Sequence, residues 1–180
     1  ENLVAGRVFK AKLLLGLEKH DEARIEIQKA LSVNPASLEA LSVLAAINYL
    51  RGQTEQYESI RDRVRALSPS YAELYNDIAE LSAQSRKYRE ASRLATEAIE
   101  IDAQSWRAYG ILGMNQLRLG QIEEGSANLE TAFEGDPYNV WFFNTLDLLD
   151  TFEYYQVSDD DPRFLFVLHD REAAILKPYV

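Results

Sequence analysis

Over residues 72–105 the apolar positions fall on two short helical stripes separated by a polar break. Tyr75, Ile78, Ala79 and Ser82 keep the i, i+3, i+4, i+7 spacing of one helix face, and Ala91, Leu94, Ala95 and Ala98 form a second face after Gln84, Ser85 and Arg86. Two short antiparallel helices follow from that pattern. Neither buries its stripe alone, so the unit requires neighbours.

The neighbours are in the sequence. Pro35 and Pro69 lie 34 residues apart, Ala103 is one such step further on, and Pro137 the next. On that period Ala11, Ala45, Ala79 and Gly113 share one position in the first helix of each unit. Ala23, Tyr57, Ala91 and Gly125 share a position early in the second helix, and Ala30, Val64, Ala98 and Ala132 one near its end. Small residues at these points let two helix backbones approach closely. Gly52 and Gly120 mark the turns inside the second and fourth units, where a left-handed residue costs glycine little. Ser70 and Glu73 have the spacing of a capping box at the start of the third.

With several positions agreeing across four units, the stretch from Val4 to Pro137 resembles tetratricopeptide repeats: a helix-turn-helix period of 34, small residues at the crossings and Pro at the end. The fold class expected is all-α, a right-handed tetratricopeptide superhelix over about residues 1–150, with repeats at 4–37, 38–71, 72–105 and 106–139 and a further helix, nine helices in all. Tyr57 and Arg61 depart from the family pattern, as do Asn48 and Gln116 where an aromatic is usual, so the second repeat is expected to pack less tightly.

After NVWFFNTLDLLD (139–150), which continues the first-helix register, the periodicity shortens. TFEYYQV (151–157) reads as a strand, SDDDP as a turn, RFLFVLHD (163–170) as a second strand, and EAAILKPYV as a helix stub that Asp170 caps and Pro178 interrupts. Residues 151–180 are thus expected to form a β-hairpin and stub opening a second domain.

Composition narrows the function. Hydrophobic residues make up 47% and the formal net charge is -10, so the chain should fold and be soluble, and an acidic surface disfavours nucleic acid and anionic membranes as partners. The absence of cysteine excludes a disulfide framework but fits either a reducing or an oxidising compartment, so localisation stays open. No run is long enough for a membrane span, and Glu1 is not an initiator methionine, so the chain reads as a fragment or a processed product.

Candidate chemistry is sparse. His20 and His169 lack a partner at metal-ligand spacing, since His169 with Glu172 is not HExxH. Asp159, Asp160 and Asp161 lack the Gly and distal Glu of a calcium loop. No nucleophile elbow, phosphate loop or dinucleotide fingerprint occurs, and no catalytic residue, metal or cofactor is assigned.

What remains is a surface. In each first helix a stripe at +3, +4, +3 is expected to line the concave wall: Glu39, Ser42, Ala46 and Tyr49; Glu73, Asn76, Glu80 and Ala83; Arg107, Gly110, Met114 and Leu117. The candidate binding residues are therefore Glu39, Ser42, Tyr49, Glu73, Asn76, Glu80, Arg107 and Met114, the competing reading being that these are merely solvated. Chaperone-binding tetratricopeptide arrays place Lys and Asn there to grip a C-terminal carboxylate; Ser42, Asn76, Glu80 and Met114 depart from that pattern.

Three functions fit: a module binding a protein or peptide through the concave face; an accessory region of an enzyme; or a spacer or self-assembly unit, with a homodimer through the groove or the strand edge. The second draws on the tail, because residues 144–180 resemble the junction at which repeats lead into a thermolysin-like (gluzincin) metallopeptidase domain. That resemblance implies a catalytic domain beyond Val180 and leaves the present residues without a catalytic role.

Overall fold

The computed structural model describes residues 2–158, 166–176 and 179. The chain divides into two compact units, Glu1–Asp136 and Pro137–Val180.

The first unit is four helical hairpins in sequence: α1 (Asn2–Gly16) with α2 (His20–Val33), α3 (Leu38–Leu50) with α4 (Thr54–Leu67), α5 (Glu73–Gln84) with α6 (Tyr88–Ile101), and α7 (Trp106–Arg118) with α8 (Ile122–Gly135). Their ends repeat as faithfully as their cores. The residues that close α2, α4, α6 and α8 are Asn34, Ser68, Asp102 and Asp136, and each sends its N–H back to the carbonyl four residues earlier. Asn34 and Asp102 then accept from the backbone two residues on, at 3.1 and 2.9 Å, turning the chain before the next hairpin. The expected left-handed turns are present at Gly52 (φ 66°) and Gly120 (φ 79°). The equivalent residues of the first and third repeats, Glu18 and Arg86, take the same conformation at φ 59° without being glycine.

Small residues meet where the period places them. Ala11, Ala23, Ala30, Ala45, Ala79, Ala91, Ala98 and Ala132 are wholly buried, as are the large side chains Ile27, Ile78 and Leu129, each contributing roughly 1.5–3 kcal/mol by leaving water. Two apolar clusters share Leu31 and Leu81, so the core runs as one strip along the array.

The second repeat does not pack loosely. Tyr57 is buried, stacks edge-on against Tyr49 with ring centroids 5.1 Å apart, and is covered by the Arg61 guanidinium. The polar replacements are paired across helices: Asn48 Oδ1 accepts from Arg24 at 2.6 Å, and Gln116 Oε1 from Asn128 at 2.7 Å. The capping box at Ser70 does not form; α5 starts after Ala72 with no side-chain cap, because the Ala72 N–H bonds to the Ser70 carbonyl at 3.0 Å and Glu73 is drawn elsewhere.

The second unit begins with α9 (Val140–Asp150), capped by Asn139, whose Oδ1 accepts from the N–H groups of Trp141 and Phe142. Residues 151–154 are a 3-10 turn and not strand, since Thr151 keeps helical dihedrals and its Oγ1 donates to the Leu148 carbonyl at 2.7 Å. Antiparallel strands β1 (Tyr155–Ser158) and β2 (Phe166–His169) follow, then α10 (Asp170–Leu176). Asp170 is the first residue of α10 and not its cap; His169 Nδ1 accepts the Arg171 N–H at 3.1 Å instead. The expected turn at 159–162, with Asp159, Asp160 and Asp161, the residues 163–165 and Pro178 lie outside the described residues.

Candidate functional site

The first-helix stripe brings four of its expected members together and leaves four apart. Arg107, on the first turn of α7, reaches back to α5: Nη2 lies 2.9 Å from Asp77 Oδ1 and 2.7 Å from Glu80 Oε2, Nε donates to Glu80 Oε1 at 2.9 Å, and Nη1 is paired with Glu73. Asn76, fully buried between them, donates to Glu73 Oε1 at 3.1 Å and to Ser105 Oγ at 3.0 Å. Helical spacing makes this possible, because positions 73, 76, 77 and 80 share one face of α5.

Two residues absent from the sequence reading complete the cluster. Lys12 of α1 places Nζ 2.8 Å from Asp77 Oδ1, linking the first repeat to the third. Lys12 occupies the register position of Ala46, Glu80 and Met114, so extending the stripe to the first repeat would have found it. Asp77 lies one residue off the stripe, and only its side chain, 6% exposed, reveals that it is held inward by two cations.

Electrostatics follow the geometry. Burial opposes the charge on Arg107, but Glu80, Asp77 and Glu73 outweigh it and raise its pKa, so the guanidinium is fixed as a cation. Burial pushes Tyr71, in the loop before α5, up to about 12, with the carboxylates of Asp77, Glu39 and Glu73 adding to the shift. Five charges thus meet at the centre of the wall, three acids and two bases, while Glu39 is exposed. The side chains of Glu73, Glu80 and Arg107 are 42, 44 and 32% exposed and within reach of solvent. Asn76 Oδ1 is buried and accepts no hydrogen bond, an arrangement that costs about 1–3 kcal/mol when nothing supplies a donor.

The other expected members fall elsewhere. Ser42 is wholly buried and lines no open groove. Tyr49 turns toward α4 and α6, where it packs on Tyr57 and its hydroxyl accepts from Arg93 at 3.1 Å. Met114 is half-buried, one register step along from Glu80. Among the described residues no three His, Cys, Asp or Glu side chains are grouped to hold a metal ion.

No curated protein matches this sequence. The family pattern described as tetratricopeptide repeat matches residues 6–37. PilF of Pseudomonas aeruginosa superposes with a TM-score of 0.54 at 16% identity, over 82% of this chain and 68% of that one. This is the tetratricopeptide-repeat fold. Two further tetratricopeptide domains agree at a TM-score of 0.50: that of Arabidopsis OM64, at 19% identity over 63% of this chain and 94% of that one, and the first of Spaghetti (RPAP3) bound to the HSP90 peptide SRMEEVD, at 18% identity over 63% and 90%. The metallopeptidase resemblance of residues 144–180 has no counterpart in these comparisons.

Proposed function

We propose that this chain is a protein-interaction module that holds a segment of a partner protein against the first-helix wall of its tetratricopeptide array, gripping a cationic side chain of that segment. The carrying observation is the composition of the cluster on α5: Glu73, Asp77 and Glu80 share only Arg107 and Lys12, both supplied by other repeats. A guest lysine or arginine relieves the excess of carboxylates, whereas a guest carboxylate meets three of them.

Half-exposed ion pairs contribute about 0.2–1 kcal/mol each, so the grip is weak per contact and falls with salt. Lys12 competes with the guest for Asp77, and its replacement by methionine, which keeps the apolar stem, tightens binding. The peptide SRMEEVD, bound by the Spaghetti domain, carries three acids and one arginine and is a poor guest here.

Selection from a displayed random-peptide library tests the reading. Recovered sequences should be rich in Lys and Arg, lose binding as salt rises, and fail against Glu73→Lys/Glu80→Lys. Recovery of acidic peptides, or no enrichment at all, refutes it. An accessory region of a metallopeptidase or a spacer requires no cationic guest on this wall, so the same selection separates those alternatives from the module.

A further inference from the structure

The turn from α5 into α6 inverts the charge of its counterparts. At the register positions of Arg86, Lys87 and Arg89 the first repeat carries Glu18, Lys19 and Asp21, the second Gly52, Gln53 and Glu55, and the fourth Gly120, Gln121 and Glu123. Each of those turns nets one negative charge, whereas the third repeat carries three positive ones. Neither arginine stands where the fold favours it. Arg89 lies in the first turn of α6, where an acid suits the helix dipole and a cation opposes it. Arg86 takes φ 59°, a conformation that only glycine adopts without cost. Local choices that work against the fold mark positions kept for another purpose.

The three cations border one cavity of about 710 Å³, whose wall is continued by Tyr49 at the end of α3, Tyr88 and Leu119 after α7. All three are exposed, and none forms an ion pair with a described residue. The acid in the lining, Glu90, is already held by Arg93, with Nη2 2.7 Å and Nε 3.2 Å from its two oxygens. Arg93 also donates to the Tyr49 hydroxyl at 3.1 Å, and the Arg118 guanidinium lies 5.3 Å from the centre of the Tyr88 ring, so both rings are held by cations.

Charge and lining together narrow the guest. A carboxylate brings one charge and two oxygens, whereas a phosphate monoester brings about 1.5–2 charges and three acceptor oxygens, closer to what three unpaired cations require. The chain's net charge of -10 repels an extended polyanion outside the cavity. Two rings and a leucine suit an aromatic stem, and the lining contains no Ser, Thr, Asn or Gln to read the edge of a nucleobase. We infer that this cavity binds a phosphotyrosine side chain of a partner protein. It shares no residue with the cluster on α5, and randomly displayed peptides bear no phosphate, so this site and the cation grip stand or fall separately.

Fluorescence anisotropy of a labelled, glycine-flanked phosphotyrosine peptide tests the inference. It should bind about tenfold or more tighter than the tyrosine and phosphoserine peptides of the same frame, and its affinity should weaken below about pH 6 as the phosphate takes up a proton. Arg86→Gly/Lys87→Gln/Arg89→Glu, which installs the residues of the second repeat, should abolish binding while the thermal midpoint holds or rises. Lys87→Gln alone, at an exposed side chain, should weaken binding about tenfold with the fold intact. Absence of binding, equal binding of the tyrosine or phosphoserine peptide, or retention by the triple variant overturns the inference. Adenosine monophosphate binding as tightly as the peptide overturns the assignment to a protein side chain.

Discussion

Replacing Gly113 by alanine probes the closest approach in the array. A Cβ there would lie 2.7 Å from the Gly125 carbonyl oxygen, 2.8 Å from Leu129 Cγ and 3.0 Å from the Leu129 nitrogen. Two of those atoms are backbone and cannot swing aside, so α7 and α8 must separate. Alanine gains about 1 kcal/mol over glycine inside a helix, while overpacking a tight core costs about 1–3 kcal/mol, and separating the helices weakens contacts along their whole length. A net loss of about 1–2 kcal/mol is expected. Gly6→Ala supplies the opposite sign, because its Cβ meets nothing within 4 Å and the propensity gain stands alone, worth about 0.5–1 kcal/mol. Urea unfolding followed by circular dichroism at constant slope measures both. If Gly113→Ala stabilises as Gly6→Ala does, the α7–α8 crossing is not the close contact described and the 34-residue register is misplaced.

Three other perturbations follow from particular groups. Glu18→Gly and Arg86→Gly relieve left-handed non-glycine residues at φ 59° and should each stabilise by about 0.5–1 kcal/mol, whereas Gly52→Ala should destabilise; thermal melts decide the sign. Lys29, Lys10 and Arg7 hold the Glu26 carboxyl at about 2, below its ordinary 4.5, so its stabilising share is complete above pH 4.5 and is lost as pH falls toward 2. Glu26→Gln should flatten that part of the acid titration, and an unchanged profile contradicts the pairing. Burial pushes the Tyr57 and Tyr71 hydroxyls up to about 12, so stability should fall as pH rises from 10 to 12; Tyr57→Phe/Tyr71→Phe should move the alkaline unfolding midpoint upward, read by circular dichroism.

Much of the fold is written in single residues. The alanines and glycines at the crossings, Gly52 and Gly120 in the turns, and the prolines set both the period and the hairpins, because backbone approach and positive φ admit few residue types. Glu18 and Arg86 escape such reading: their conformation is imposed by the hairpin around them and not by their own preference. The capping box at Ser70 and the strand at 151–154 fail for a related reason, since local patterns lose to a competing backbone bond in the first case and to continuation of α9 in the second. Within the site, the stripe on α5 and Arg107 was legible from helical spacing. Lys12 and Asp77 were not, because their pairing joins residues 65 apart in sequence and depends on how the first and third repeats face each other. Ser42 shows the converse, a residue on the right stripe that is completely buried.

The central claim is that the wall takes a cation at Glu73, Asp77 and Glu80. Nuclear magnetic resonance titration of the isotopically labelled chain with a lysine-containing peptide from the display selection tests it most directly. Shifts should concentrate on α5 between Glu73 and Glu80 and on the side-chain Nε–H of Arg107, whose bond to Glu80 the guest disturbs, and should fade in about 0.5 M salt. Shifts confined to α2, α4, α6 and α8, with the Arg107 resonance unmoved, would contradict it.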